Sequence, residues 1–382
     1  MSHAPRDPRA TLLGRAFRPG IGPSVVTVRD GVVIDITSKA TPTVRDITEA
    51  DDPAGVVKAA AGEPIGDLAT LLAHVEAERD PSAPWLLAPV DLHAIKASGV
   101  TFVASLMERV IEEQARGDLS KAAALRTEIT AVIGTDLSAL KPGSDQAMAL
   151  KEALIAKNAW SQYLEVGIGP DAEIFTKAQP MSAVGPGAFV GLHPISSWNN
   201  PEPEIVVVIR SDGAIVGATL GNDVNLRDVE GRSGLLLGKA KDNNASASLG
   251  PFIRLYDDGF GPQDVAAAEV ALTVEGTDGF TLSGSSSMRK ISRSPEELAA
   301  ATIGRHHQYP DGLVLYLGTM FAPVEDRDAP GQGFTHHVGD VVTIETAALG
   351  ALTNTVAYST EAPPWTFGLR ELMANLAGRG LL

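Results

Sequence analysis

The stretch Glu202-Pro-Glu-Ile-Val-Val-Val-Ile-Arg210 is followed by Ser211-Asp-Gly213 and then by Ala214-Ile-Val-Gly-Ala-Thr-Leu-Gly-Asn-Asp223. The first segment is a run of β-branched residues, which is typical of a strand buried on both faces. The second is a turn signal, and the third is again apolar. The sequence therefore predicts a hairpin of two buried strands, and the rest of the fold is expected to pack around it.

Three carboxylates meet at the open end of this hairpin. Glu202 and Glu204 are two residues apart, so their side chains point to the same face of the strand. A turn centred between Asp212 and Gly213 places Asp223 opposite Glu202. Crowded like charges repel one another unless a cation lies among them, and oxygen-only ligands suit a hard divalent ion such as Mg²⁺. The hairpin therefore predicts a metal site formed by these three carboxylates.

The composition is that of a globular protein with a substantial core. The chain has 382 residues, of which 44% are hydrophobic and 20% charged, and it has no cysteine. Disulfides, thiolate zinc sites and a thiol nucleophile are thereby excluded. The formal net charge of −16 argues against nucleic acid or an anionic membrane as a partner. Because no apolar run reaches membrane-spanning length and no signal-peptide pattern is present, we expect a cytoplasmic protein.

The pattern along the chain predicts three parts. Residues 1–88 read as a small β-rich N-terminal domain, with Asp30-Gly31 as a type I′ turn between two strands. Residues 89–160 read as a helical connector that begins the catalytic region, and residues 161–382 as the β-rich catalytic domain. Apolar residues recur at helical spacing in three stretches of the connector. These stretches are 106–116, 119–133 and 151–160.

Two further segments are candidates for the same site. Lys239 and Lys241 follow the acidic hairpin closely and are placed to bind an anion or to serve as an acid or base, although a lone lysine is usually a surface residue. Gly318-Thr319 ends an apolar strand and can offer a backbone N–H and a hydroxyl to a carboxylate, or can simply form a turn.

Several segments resemble the fumarylacetoacetate hydrolase family in their order and spacing. These segments are residues 201–205, 221–228, 249–251 with Lys241, Gly318-Thr319, and 338–354. The resemblance implies a mixed α+β, β-rich fold, with a catalytic domain of rolled mixed β-sheets and a smaller N-terminal α/β domain. It implies Mg²⁺, with Mn²⁺ as an alternative, held by Glu202, Glu204 and Asp223. It also implies a 2-oxo acid or 1,3-dicarbonyl substrate and a homodimer or homotetramer.

One departure from the family pattern narrows the expected reaction. Hydrolases and decarboxylases of the family commonly carry Asn-Tyr-x-x-His-x-x-Glu, with the histidine as base. Here the matching stretch is Thr101-Phe-Val-Ala-Ser-Leu-Met-Glu108, so Ser105 stands at the histidine position. This stretch and residues 197–204 are similar instead to the branch of 2-keto-3-deoxy sugar acid dehydratases.

That branch implies a Mg²⁺-dependent hydro-lyase. The enzyme would remove water from a 2-keto-3-deoxy pentonate of the D-xylonate or D-arabinonate type and give 2,5-dioxopentanoate, in non-phosphorylating pentose catabolism. The predicted catalytic residues are Lys241, Glu112 and Glu108. The predicted substrate contacts are Ser105, Arg109, Lys177, Arg227 and Thr319.

Other interpretations remain open at this point. Glu108 and Glu112 are neighbours on one helical face, which could equally be a solvated face. Arg109 and Arg227 could pair with nearby acids rather than bind substrate. The main rival reaction is hydrolysis of a C–C bond in a diketo sugar acid or acylpyruvate, and the second is decarboxylation of the oxaloacetate type; Ser105 argues against both. A non-enzymatic binding role is the third alternative, and the intact carboxylate set argues against it.

Overall fold

The computed structural model describes residues 4–122, 124–125, 140–156, 159–330 and 333–382. These residues form two β-sheets with helices against them. The strands of the larger sheet are β1 Leu12–Arg18, β2 Gly22–Arg29, β3 Val32–Asp35, β4 Glu63–Asp67, β5 Trp85–Leu87, β6 Ala94–Ser98, β7 Ile174–Ala178, β9 Pro203–Ile209, β10 Ile215–Asp223, β11 Ala247–Leu255 and β14 Leu313–Tyr316. The strands of the smaller sheet are β8 Phe189–Leu192, β12 Glu269–Glu275, β13 Thr281–Ser287, β15 Val341–Thr346 and β16 Gly350–Tyr358.

The helices are mostly short. They are α1 Val44–Thr48, α2 Pro53–Ala59, α3 Leu68–Leu72, α4 Val103–Ala115, α5 Asp145–Ala156, α6 Gln162–Ile168, α7 Arg227–Glu230, α8 Leu237–Lys241, α9 Pro262–Ala266, α10 Pro295–Thr302 and α11 Leu369–Gly378. Among the described residues, no helix is long and apolar enough to cross a membrane.

Both sheets are mixed. The larger one runs in the order β4-β3-β2-β1-β11-β10-β9-β14-β6-β7, with β5 also paired to β1. Its neighbours are antiparallel except for β6 and β14, which are parallel. The smaller sheet runs β13-β12-β15-β16-β8, and only its β8–β16 pair is parallel. The mixed, sheet-rich architecture expected from the sequence is thus present.

Strand β9 lies at the centre of the packing and is buried on both faces. Ile205, Val207 and Ile209 pack between the two sheets, against residues of β12, β15 and β16. Val206 and Val208 point to the other face and pack with residues of β11, β14, α1 and α2. All five side chains are completely buried. A continuous apolar run, rather than an alternating one, is what such a position requires.

The structure contains the predicted hairpin of β9 and β10. Its register is set by the turn and by a bulge together. At the turn, Ile215 pairs with Ile209, which alone would set a register one residue away from the predicted one. A bulge between Ile215 and Gly217 restores it, because a bulge adds one residue to one strand only. Asp223 N–H then donates to the Glu202 carbonyl oxygen at 3.1 Å, so the two residues lie opposite each other as predicted.

The other local predictions also have structural counterparts. Asp30 and Gly31 have φ angles of 50° and 76°, the positive values that a type I′ turn needs, and they join β2 to β3. The stretch 106–116 falls mainly in α4, and 151–156 is the end of α5. Most of the helix predicted over 119–133 lies outside the described residues.

The predicted boundary after residue 88 divides a continuous sheet. Strand β1 pairs with β2 on one side and with β11 on the other, where Leu12 lies opposite Arg254 and Leu13 opposite Ile253. The N-terminal strands are therefore joined to the rest of the chain through backbone hydrogen bonds. The boundaries at 88 and 160 stay predictions.

The central position of β14 leads to a stability prediction. Leu315 is completely buried between the sheets, so Leu315→Ala leaves a cavity that the flanking strands cannot close. We expect a loss of about 2–5 kcal/mol in the free energy of unfolding, measured by urea denaturation. Leu235, which is 97% exposed, provides the control, and Leu235→Ala should change stability by less than about 0.5 kcal/mol. Equal losses in both variants would contradict this packing.

Candidate active site

The three carboxylates of the hairpin converge where β9 begins and β10 ends. Oxygen atoms of Glu202, Glu204 and Asp223 all lie within 4.8 Å of one another. Each of the three residues is only 1% exposed. Gly221 lies directly opposite Glu204, and a Cβ atom there would be 2.3 Å from the ring of Tyr316. A glycine is therefore needed for this ring to pack beneath the carboxylates.

Glu204 is held by the end of strand β14. The Gly318 N–H donates to its Oε2 at 2.7 Å, and the Thr319 hydroxyl donates to its Oε1 at 3.3 Å. Gly318 has a φ of 102°, and a Cβ atom there would lie 2.0 Å from the Thr101 hydroxyl oxygen. Of the two interpretations left open for Gly318-Thr319, these contacts agree with the donation to a carboxylate, and the role of Thr319 as a substrate contact stays a prediction. Thr319 also lines the cavity beside the carboxylates.

Three buried cations face the other carboxylate oxygens. Lys241, the last residue of α8, donates to Glu202 Oε2 at 2.5 Å and to Asp223 Oδ2 at 3.0 Å. Lys177 on β7 lies 2.9 Å from Asp223 Oδ1. Arg109 on α4 donates to Glu202 Oε1. The protein thus places positive charge on the same oxygens that a metal ion would use.

The protonation behaviour of the cluster follows from this crowding. Burial and the charges of Asp223 and Glu202 raise the pKa of Glu204 well above its ordinary value. Burial alone would raise the pKa of Asp223, but Lys177 and Lys241 lower it overall. Burial alone would lower the pKa of Lys241, but Asp223 and Glu202 outweigh burial and raise it. The cluster as a whole therefore favours a bound positive charge.

This donor set fits a hard divalent cation. All three candidate ligands are carboxylates, and each contributes an oxygen atom to one small volume. Repulsion from the other two carboxylates acts most clearly on Glu204, whose pKa is raised. Mg²⁺ and Mn²⁺ prefer oxygen ligands of this kind. Within the described residues, this is the one group of three acidic or histidine side chains with such spacing. Its role as the metal site stays a prediction.

The predicted catalytic glutamates of α4 face arginines. Glu112 is completely buried, accepting from Arg227 Nε at 2.6 Å and from Arg109 at 2.5 Å. Glu108 accepts from Arg227 at 2.9 Å, and the Arg227 guanidinium lies 4.4 Å from the centre of the Trp198 ring. Neither glutamate borders the cavity. The contacts favour a positioning role for Glu108 and Glu112, while their catalytic role remains an untested prediction.

The predicted substrate contacts divide into two groups. Ser105, Arg109 and Thr319 line the cavity together with Lys241. The Ser105 hydroxyl donates to the Phe102 carbonyl oxygen at 3.0 Å, which closes the first turn of α4. Lys177 and Arg227 do not line the cavity. Lys177 donates instead to the backbone carbonyls of Val224 and Lys241 and forms an ion pair with Asp223, so its position favours holding the end of β10 in place.

Two cavity-lining glutamates were not predicted from the sequence. Glu173, just before β7, and Glu230, at the end of α7, border the cavity beside Glu202 and Asp223. Burial and the negative charge of Glu230 raise the pKa of the Glu173 carboxyl to about 7. The positive charges of Lys241 and Arg109 act in the opposite direction and are outweighed.

The alternation of side chains along a strand could have identified Glu173 as a site residue. On a strand, Glu173, Phe175 and Lys177 share one face, and Lys177 was already a candidate. The Glu173 carboxyl lies directly against Gly99, where an added Cβ atom would be 1.8 Å from Glu173 Oε2. Glu230 follows Arg227 by one helical turn, which is a weaker signal, because charged residues at that spacing are common.

A family comparison agrees with this architecture. The family model described as fumarylacetoacetate (FAA) hydrolase C-terminal matches residues 156–357, which is more than half of the 382-residue chain. The chain therefore belongs to the fumarylacetoacetate hydrolase family, as the resemblance of its segments predicted.

Two curated relatives are dehydratases by name. A probable 2-keto-3-deoxyxylonate dehydratase of Haloferax volcanii is 33% identical over 194 residues, which are 51% of this chain and 63% of that protein. A 2-dehydro-3-deoxy-D-arabinonate dehydratase of Saccharolobus solfataricus is 32% identical over 180 residues, which are 47% of this chain and 57% of that protein. The matches thus span less than two thirds of either relative.

Solved structures share the fold over a longer span. A hexagonal crystal form of 2-keto-3-deoxyarabinonate dehydratase has a TM-score of 0.62 and 23% identity, covering 90% of this chain and 98% of that chain. A complex of 2-keto-3-deoxy-D-arabinonate dehydratase with magnesium and 2,5-dioxopentanoate has a TM-score of 0.62 and 22% identity, covering 91% and 99%. These likenesses confirm the predicted fold.

The repulsion among the carboxylates gives a testable consequence for metal binding. We expect Mg²⁺ or Mn²⁺ to raise the melting temperature of the wild-type protein after chelator treatment, because the ion binds the folded state only. Glu204→Gln should abolish this increase. In metal-free buffer the same variant should be at least as stable as wild type, since one of three repelling charges is gone. Glu345→Gln, at an exposed position of β15, is the matched control and should keep the metal response. A full metal response in Glu204→Gln would contradict the assignment.

Proposed function

We propose that this chain is a Mg²⁺-dependent hydro-lyase that removes water from a 2-keto-3-deoxy pentonate and gives 2,5-dioxopentanoate. The observation that carries the proposal is one cavity in which Glu202 and Asp223 of the carboxylate cluster lie beside a further carboxyl, Glu173, whose pKa is raised to about 7. The names of the two curated relatives support the reaction, and the complex with magnesium and 2,5-dioxopentanoate supports the metal and the product.

The metal would be held by Glu202, Glu204 and Asp223. When bound there, Mg²⁺ supplies Lewis acidity to the carboxylate and carbonyl oxygens of a 2-oxo acid and stabilises negative charge at the C2 oxygen. Lys241 and Arg109 orient Glu202 from two sides, and they add positive charge where the substrate carboxylate would lie. This arrangement fixes the acidic end of the substrate against the hairpin.

Glu173 can perform both proton transfers of the elimination. As a carboxylate it takes a proton from C3, and as the acid so formed it donates that proton to the C4 hydroxyl, which leaves as water. The C3–H and C4–O bonds break, a C3=C4 double bond forms, and no net proton passes to solvent. A pKa near 7 suits a group that must act first as base and then as acid. Tautomerisation through C5 then gives the dicarbonyl product.

The main alternative remains C–C bond hydrolysis within the same family. That reaction needs a base that activates water beside the carbonyl. Ser105 occupies the cavity wall where the family histidine is expected, and its hydroxyl is bound to the Phe102 carbonyl. Among the described residues that line the cavity there is no histidine. Elimination needs no activated water, and it is therefore favoured.

The reaction can be tested directly by product analysis. The purified protein with Mg²⁺ and a 2-keto-3-deoxy pentonate should form 2,5-dioxopentanoate, which is detected by mass spectrometry, and a chelator should abolish its formation. Separate incubations with the D-xylonate and D-arabinonate types identify the preferred substrate. Pyruvate plus a second fragment would favour C–C cleavage instead, and release of CO₂ would favour decarboxylation.

The proposed role of Glu173 predicts a characteristic pH dependence. Because the carboxylate form starts the reaction, kcat/KM should rise with pH through a transition near 7. Glu173→Gln should lower kcat by about 10²- to 10⁴-fold, the usual contribution of a general acid–base group, and should remove that transition. Gly99→Ala pushes a methyl group against the Glu173 carboxyl and should lower kcat without affecting metal binding. Unchanged kcat in Glu173→Gln would exclude the assignment.

The assembly and location are part of the same proposal. We infer a homodimer or homotetramer in the cytoplasm, acting on a small-molecule sugar acid, with Mn²⁺ able to replace Mg²⁺. The oxygen-only donor set supports the choice of metals, and the assembly and location rest on the family resemblance. Sedimentation analysis and a comparison of turnover with the two metals test them.

A further inference from the structure

Glu230 has a buried carboxylate oxygen for which the surrounding protein provides no hydrogen bond. The residue is 3% exposed and lines the cavity with Glu173, Glu202 and Lys241. Its Oε2 has no hydrogen-bond partner among the described residues. The nearest cation is Arg109, whose Nη1 lies 3.5 Å away, close enough for an ion pair but without hydrogen-bond geometry.

A buried carboxylate oxygen without a partner favours the binding of a hydrogen-bond donor beside it. Leaving a buried acceptor unsatisfied costs about 1–3 kcal/mol, and more when it is charged. A second unsatisfied oxygen, the hydroxyl of Tyr163, is buried in the same region, where the charge of Glu230 contributes to its raised pKa. Arg109 does not serve as that donor, because its Nη1 donates to Glu112 Oε2 and faces Glu230 Oε2 without hydrogen-bond geometry.

The substrate of the proposed function has one polar group left without a partner. Its C1 carboxylate and C2 carbonyl face the hairpin, and its C4 hydroxyl leaves through Glu173. The C5 hydroxyl remains, and it is the neighbour of C4. Glu173 and Glu230 likewise line one small cavity, and the charge of Glu230 contributes to the raised pKa of Glu173.

We propose that Glu230 binds the C5 hydroxyl of the substrate and thereby selects 2-oxo acids that end in a hydroxyl group. This inference rests on the proposed function. The hydroxyl donates to Glu230 Oε2, while the negative charge of the same carboxylate repels any ligand that ends in a second carboxylate. Glu230 thus acts both as an acceptor and as a charge barrier, and it fixes which end of the substrate enters first.

Three ligands that cannot lose water across C3–C4 separate binding from turnover. They are 5-hydroxy-2-oxopentanoate, 2-oxopentanoate and 2-oxoglutarate, which differ only at C5. With Mg²⁺ present, calorimetry on the wild-type protein should show the hydroxylated ligand binding about 10- to 100-fold more tightly than 2-oxopentanoate, the value of a hydrogen bond to a charged group. 2-Oxoglutarate should bind most weakly.

Variants at the same position test the cause of the preference. Glu230→Met removes the acceptor and the charge, so the three ligands should bind with similar affinity. Glu230→Gln keeps an acceptor but not the charge, so it should retain part of the hydroxyl preference and lose the rejection of 2-oxoglutarate. Glu113→Gln, which makes the same chemical change at a residue that lines a different cavity, is the matched control and should behave as wild type. Ratios between ligands do not depend on how much of a variant is folded.

The outcomes distinguish this inference from the proposed function. A wild-type preference that persists in Glu230→Met would overturn the role of Glu230 while leaving the dehydratase proposal intact. Equal wild-type affinities for the hydroxylated and plain ligands would do the same. If the wild-type protein binds none of the three ligands, the site is not a 2-oxo acid site, and both proposals fall.

Discussion

Glu202, Glu204 and Asp223 place three negative charges within 4.8 Å of one another in the interior of the protein. Two unit charges about 4 Å apart repel by about 4 kcal/mol at an effective dielectric constant of about 20, and a whole domain is stable by only about 5–15 kcal/mol. The cluster cannot persist without compensation. That requirement explains the positions of three elements, because each carries a buried cation. Strand β7 carries Lys177, α8 carries Lys241 and α4 carries Arg109.

The same requirement explains why so many buried charges surround the site. Arg109 is needed beside Glu202, but a buried arginine requires its own partners, which Glu112 and Glu230 provide. Glu112 in turn needs Arg227, and Arg227 packs on Trp198. Removing one member of such a chain leaves an uncompensated buried charge, which is strongly destabilising. The acidic and basic residues of α4 are therefore explained by the site even where they do not touch the cavity.

Much of this could be predicted from the sequence, and the limits have physical causes. The hairpin, its carboxylates and the role of Gly318-Thr319 follow from strand periodicity and turn chemistry, which are local. The turn between β9 and β10 is one residue shorter than predicted, and the bulge beside Gly217 compensates for the difference. The predicted register is therefore correct, although the sequence did not indicate the bulge. Glu173 lies 29 residues before Glu202, and Glu230 lies in the short helix that follows the hairpin; only tertiary packing shows that both share a cavity with the hairpin. The continuity of β1 with β11 is hidden for the same reason.

The cavity brings together the two kinds of group that the proposed reaction needs. Glu202 and Asp223, with Lys241 and Arg109 beside them, suit a metal ion and the oxygen atoms of a 2-oxo acid. Glu173 and Glu230 line the same cavity beside these groups, and the pKa of the Glu173 carboxyl is raised to about 7. A histidine base at the position of Ser105 would place a proton acceptor next to the carbonyl carbon, where water must attack in hydrolysis. In the proposed function Glu173 supplies the base instead, and its proton transfer from C3 to the C4 hydroxyl breaks a C–O bond rather than a C–C bond.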